Sequence, residues 1–168
     1  MSKTKFVQYR GDGFWAYDVA LGVFLKYVID IAETSTKAGS EWLSKRLPRW
    51  RVVACIRDYG LALDENRTAI QRQQFISFAE EACARLALRE SIPATEMLSW
   101  NVLDGEGISP RGAEEVETGP VIELGRAIIA LMLGRLPEPP EDAAWCYGLP
   151  EGVTTIGMRR GWRARVDR

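Results

Sequence analysis

Between Val121 and Leu133 the chain is apolar except at Glu123, Gly125 and Arg126. A helix that is apolar nearly all round has to be surrounded by protein. Pro120 suits a first helical position, where a missing N–H costs nothing, and Gly134 followed by Pro137 suits a C-terminal stop. At about 1.5 Å per residue the run spans on the order of 20 Å, short of a bilayer core of roughly 30 Å. The sequence therefore predicts residues 119–136 as the central helix of a helical bundle.

The chain has 168 residues, 46% of them hydrophobic, which is enough for one domain with one substantial core. A single globular domain over residues 1–168 is expected, with a loose, arginine-rich tail at 160–168. There is no histidine. That removes Ser-His and Cys-His nucleophilic systems, histidine metal ligands and histidine acid/base catalysis together. Cys55, Cys83 and Cys146 are odd in number, far apart and set in apolar contexts, as expected of buried free thiols in a reducing compartment. The basic N-terminus is not followed by an apolar signal region, so a cytoplasmic protein is the expectation.

Residues 6–10 alternate weakly and predict a short edge strand, ending at the turn-forming Gly11-Asp12-Gly13. From Phe14 to Glu33 the exceptions to an apolar, ring-rich run are Asp18, Gly22, Lys26 and Asp30, each four residues after the last. This spacing predicts one helix with a single narrow solvated stripe. Ser40 can cap a following helix that carries Trp42, Leu43 and Leu47 inward and breaks or kinks at Pro48. Residues 49–58 hold a β-branched pair but place Trp50, Val53 and Ala54 on one helical face, so a helix is expected there. Lys45, Arg46, Arg49, Arg51 and Arg57 read as its solvated side. Residues 66–90 form the clearest amphipathic helix, with Ile70, Phe75, Phe78, Ala79, Ala82, Cys83 and Leu86 at core spacing. Pro93 suits the start of a short helix delivering Met97, Leu98 and Trp100 to the core. Residues 104–118 carry no periodic signal, and 144–149 with 153–159 read as a C-terminal antiparallel β-hairpin. The expected fold is thus mainly α (α+β), a bundle with a small terminal hairpin.

No catalytic motif is present. Asp104-Gly105-Glu106-Gly107 lacks the further ligands of an EF-hand, its glycines make no phosphate or dinucleotide loop, and no serine lies in a Gly-x-Ser-x-Gly setting. Neither the cysteine spacing nor any other cluster suggests a metal, so no metal, cofactor or catalytic residue is expected. Charge segregation is the one positive signal. Residues 104–151 hold ten acids against Arg111, Arg126 and Arg135, a balance of −7 in a chain whose net charge is −1. An acidic loop on a helical scaffold suits a basic partner protein, for which it speeds encounter and enforces register. Asp104, Glu106, Glu114, Glu115 and Glu117 are the candidate partner-binding residues.

The segments Gly13-Phe14-Trp15-Ala16-Tyr17-Asp18, the acidic loop 104–118 and Thr155-Ile156-Gly157-Met158-Arg159 give the chain a general resemblance to immunity proteins of bacterial contact-dependent growth inhibition and polymorphic toxin systems. The resemblance implies a non-enzymatic cytoplasmic protein that binds a cognate toxin domain, often a nuclease, and occludes its active site. It implies neither direct nucleic-acid binding nor membrane association, and it assigns no functional residue by position. Two other classes stay open. One is a helical small-molecule-binding or enzymatic domain that uses Trp15, Tyr17 and Tyr27 with Asp18 or Asp30 in a pocket; the other is a scaffolding subunit with an apolar surface patch.

Overall fold

A computed structural model of the protein describes residues 3–35, 39–63 and 68–157. Its first elements are strands β1 (Thr4–Tyr9) and β2 (Asp12–Tyr17), joined by a two-residue turn in which Arg10 (φ 48°) and Gly11 (φ 82°) are both left-handed. This is the hairpin turn that matches strand twist, and glycine at its second position lowers the strain. The Arg-Gly-Asp tripeptide accordingly does turn chemistry.

Helix α1 (Asp18–Thr34) follows β2 without a loop, and α2 (Glu41–Cys55) leads to the two-residue strand β3 (Leu61–Ala62). Then come α3 (Ala69–Leu86), β4 (Ser91–Pro93), α4 (Ala94–Ser99), β5 (Glu115–Glu117), α5 (Thr118–Met132), β6 (Ala143–Tyr147) and β7 (Thr154–Gly157). Five strands form one mixed sheet in the order β3-β1-β2-β6-β7. The β1–β2 and β6–β7 pairs are antiparallel, while β1–β3 and β2–β6 are parallel. A separate antiparallel ribbon joins β4 to β5.

This α/β architecture overturns the expected helical bundle. The hairpin of β6 and β7 is present, but it extends the main sheet through β6 on β2. The largest error lay at Phe14–Tyr17, assigned to the first helix. Those residues alternate in burial, with Phe14 and Ala16 inside and Trp15 and Tyr17 half-buried, and they pair with Lys5–Phe6 and their neighbours. A period of two was hidden because both faces carry rings: Phe6 meets Trp15 edge-on at 5.1 Å on one, and Phe14 meets Tyr147 at 5.0 Å on the other. For the same reason β1 is no edge strand, since it is paired on both sides.

The central helix is α1, not α5. Residues Asp18 to Leu25 are buried without interruption, and α1 packs against α2, α3 and α5. Helix α5 packs on α1, α3 and the sheet but keeps Glu123 and Arg126 exposed. Two close approaches set this packing. A side chain at Gly22 would meet the Ala54 carbonyl of α2 at 2.9 Å and Ile108 at 3.1 Å; one at Gly125 would meet Cys83 and Phe24 at 2.7 Å.

Helix α2 runs through Pro48 without ending. Pro48 and Ser44, whose carbonyl loses its donor there, are both on the exposed side, so the freed carbonyl is not buried away from solvent. Ser40 does stand at the N-cap position, but its hydroxyl makes no capping bond. Thr68 does cap α3, accepting from the Gln71 N–H at 3.0 Å. Two residues assigned to the core lie outside it, Ile70 in the first turn of α3 and Leu98 in α4. The 160–168 tail, and the last residues of the predicted hairpin, fall outside the described residues. Among the described residues no helix is long and apolar enough to cross a membrane.

Replacing Gly22 with valine is expected to destabilise the protein by about 1–3 kcal/mol, the usual cost of overpacking a closed contact. Urea unfolding followed by circular dichroism measures it, and an unchanged midpoint would show that α1 and α2 can move apart freely.

Candidate functional site

The five acids singled out from the sequence are all exposed, and they fall into two groups. Asp104 and Glu106 belong to a tight turn after α4. There Leu103 and Glu106 exchange backbone hydrogen bonds at 2.8 and 3.2 Å, and Asp104 (φ 50°) and Gly105 (φ 84°) take the left-handed pair of conformations that Asp-Gly favours. The Asn101 side chain accepts from the Gly105 N–H at 2.9 Å. This turn chemistry is what the calcium-like spelling of Asp104-Gly105-Glu106 represents, and among the described residues no group of acids or cysteines is placed to hold a metal.

Glu114, Glu115 and Glu117 lie at the second place. The β4–β5 ladder pairs Ser91 with Glu117, Ile92 with Val116 and Pro93 with Glu115. Ile92 is buried and Val116 packs on the core, so alternation turns Glu115 and Glu117 outward on the same side. Thr118 locks the ribbon to the turn that follows α3: its N–H donates to the Glu90 carbonyl at 2.9 Å, and its buried hydroxyl donates to the Arg89 carbonyl. The result is an open hollow of about 530 Å³ lined by Ala87, Arg89, Glu90, Ser91, Glu115, Glu117 and the first turn of α5.

Glu90, which the sequence reading missed, thereby joins Glu115 and Glu117; Glu114 is not in the lining. Glu90 sits some 25 positions earlier, in the turn after α3, and only the β4–β5 pairing brings it there. Ser91 donates to Glu115 at 2.8 Å, whereas Glu90 and Glu117 have no ion pair or side-chain hydrogen bond among the described residues. Arg89, the cation in this lining, is held by Glu96 through two 2.7 Å bonds. That pairing raises the arginine's pKa and lowers the glutamate's. The guanidinium therefore leaves the three carboxylates of the hollow unneutralised.

A different constellation is buried. Asp18, the first residue of α1, is only 7% exposed and pairs with Arg111, while Lys5 on β1, 5% exposed, donates to the Val53 carbonyl of α2. One Asp18 oxygen, Oδ1, is buried without a partner. These groups line, with Cys55, Arg57 and Ser109, a slot of about 30 Å³. Asp18 was expected on a solvated stripe of α1; of that stripe only the Lys26–Asp30 pair is partly open. Burial pushes the Lys5 pKa below its ordinary value, against the opposing attraction of Asp18, and burial raises the Cys55 thiol. The slot has room for a water or two, far less than a small-molecule ligand needs. Asp30, the other carboxylate of that alternative, is engaged by Lys26.

Cys55, Cys83 and Cys146 are free thiols, and all three have raised pKa values from burial. No protein-family model, curated protein or solved structure matches the chain.

Lys5 yields a pH prediction with a definite sign. Its folded pKa lies below its unfolded value near 10.5, so between the two the unfolded chain binds more protons and stability rises with pH. The raised tyrosine and thiol values slope the other way. The stability of the wild type minus that of Lys5→Met is therefore expected to climb as pH rises toward 10.5. Urea unfolding of both proteins at pH 7.5, 9 and 10 measures the difference, and a flat or falling one would contradict the assignment.

Proposed function

We propose that this protein is a binding protein for a basic macromolecular partner, and that it acts as an immunity protein, neutralising a cognate bacterial toxin domain by covering its active site. The observation that carries the reading is the hollow at the β4–β5 ribbon, where Glu90, Glu115 and Glu117 face outward with no cation among the described residues committed to them. Such a surface complements one built to take phosphates, so a nuclease domain is the partner class it fits best. The acids stand on a hydrogen-bonded ribbon and at the start of a helix, so little ordering is required when a partner docks. The general resemblance to immunity proteins supports the same reading. In this account Glu115 and Glu117, with Glu90 added, are the contact acids of the ribbon, and Asp104, Glu106 and Glu114 widen the acidic surface.

The test begins with the toxin domain encoded beside this gene in its genome of origin, which is expected to be captured by the purified protein and to lose its toxicity on co-expression. The double charge reversal Glu90→Lys/Glu117→Lys is expected to slow association by about tenfold or more at low salt and to flatten its salt dependence, with an unchanged melting temperature. Stopped-flow association rates measure both. A chain that neither binds nor protects against that toxin refutes the proposal; binding with an unchanged rate removes the ribbon from the interface.

A further inference from the structure

A second hollow, of about 450 Å³, opens where the end of α2 (Cys55, Ile56) meets Leu98 of α4 and the loop at Leu103, Gly105, Glu106, Gly107 and Ser109. One side is apolar, from Cys55, Leu103 and two side chains left outside the core, Leu98 at 60% and Ile56 at 40% exposure; the other is the polar loop of Gly105, Glu106, Gly107 and Ser109. Helix α4 has six residues, and Met97 takes its place in the core, so Leu98, the next residue, faces away. At the hollow's edge stands Glu106, exposed and, among the described residues, without an ion pair or side-chain hydrogen bond. Its backbone is fixed, because Val102 and Leu103 both donate to the Glu106 carbonyl, at 2.8 and 3.2 Å. Gly107 lies so close to the Met97 carbonyl that no side chain fits between them, and the Ile108 N–H donates to that same carbonyl at 3.1 Å. The last turn of α2 carries no basic residue to offset the negative end of the helix.

We propose that this hollow seats an arginine side chain of the basic partner, its aliphatic stem against Leu98, Ile56 and Leu103 and its guanidinium on the Glu106 carboxylate. The proposal rests on the reading of the protein as a binder of a basic partner, and it names the residue type that anchors the complex. An apolar side chain would fill the walls but leave Glu106 facing a dry surface. A carboxylate would be repelled, and a lysine head is too strongly hydrated to sit beside leucine and isoleucine. Arginine combines a long stem, a weakly hydrated head and two parallel donors for one carboxylate. Buried arginines of this kind recur among the residues that dominate binding energy. Three neighbouring cations are committed elsewhere: Lys5 to the Val53 carbonyl, Arg111 to Asp18, and Arg51 to Glu33 and the Val102 carbonyl.

The experiment is a nuclear magnetic resonance titration of the full chain with N-acetyl-arginine methylamide, the lysine analogue serving as comparison. The amides of Ile56, Leu98 and residues 103–107 are expected to shift saturably with arginine and about threefold more weakly with lysine. Glu106→Gln is expected to weaken the arginine response by about fivefold, as is Leu98→Ser; both positions are exposed and both variants are checked for folding by circular dichroism. Shifts confined to Glu90, Glu115 and Glu117, shifts indifferent to Glu106→Gln, or no shifts at all overturn the proposal. The parent reading is judged separately by the Glu90→Lys/Glu117→Lys association rate with the neighbouring toxin domain, which can hold while the arginine seat fails.

Discussion

The enclosure of α1 is the constraint on which the rest of the structure depends. Eight consecutive residues, from Asp18 to Leu25, are buried, which no helix achieves with neighbours on one side only. Leu21, Phe24, Leu25 and Ile29 are almost wholly inaccessible, each contributing about 1.5–3 kcal/mol by leaving water. Covering them fixes where the other helices lie, with α2 crossing at Gly22 and α3 and α5 meeting near Gly125. The sheet is placed by the same helix, since Tyr17 ends β2 and stands at the α1 N-cap at once.

A buried polar group follows from that junction. Asp18 occupies the first turn of α1, where the helix dipole favours a carboxylate, yet it is too deep to be left unpaired. Arg111 supplies the counter-charge from a loop 93 residues away, held at a left-handed φ of 50° beside Gly112. Arg51 of α2 adds a second fastening, donating to the Val102 carbonyl at 2.8 Å. With the Ile108–Met97 bond, these tie down the stretch from α4 to β5 at three points. The backbone of the stretch without sequence periodicity is consequently tied down, which fixes where along the surface its acidic residues emerge.

What the sequence made legible follows from which periods were clean. Helices α3 and α5, the short α4, the β6–β7 pair and the free cysteines were visible, because one apolar stripe or one alternation dominates each segment. The sheet was not, because its interior strands carry rings on both faces, and β2 runs straight into an apolar helix with no turn residue to separate them. Counting apolar positions also cannot tell which helix is central: α5 has the longer apolar run and both helices have a close-approach glycine, but it is α1 that is enclosed over eight consecutive residues. Of the acidic residues, exposure was legible and grouping was not. Glu90 reaches Glu115 and Glu117 only through a ladder of three residue pairs, which no local pattern announces.

The placement of those acids bears on why they are there. Charge on a short strand keeps foreign strands from pairing with its edge, and that would account for Glu115 and Glu117 on β5. It does not account for Glu90, which lies before β4, outside the strand, and which increases the repulsion that the hollow already contains. Simple solubility would be served as well by acids spread among the basic residues of α2, where Lys45 has Glu41 at 2.9 Å. Concentrating like charges around one concave surface, with the guanidinium of its lining turned to Glu96, costs folding free energy and lowers the free energy of meeting a positive surface. The proposed binding role is the one of these three that the grouping itself would advance.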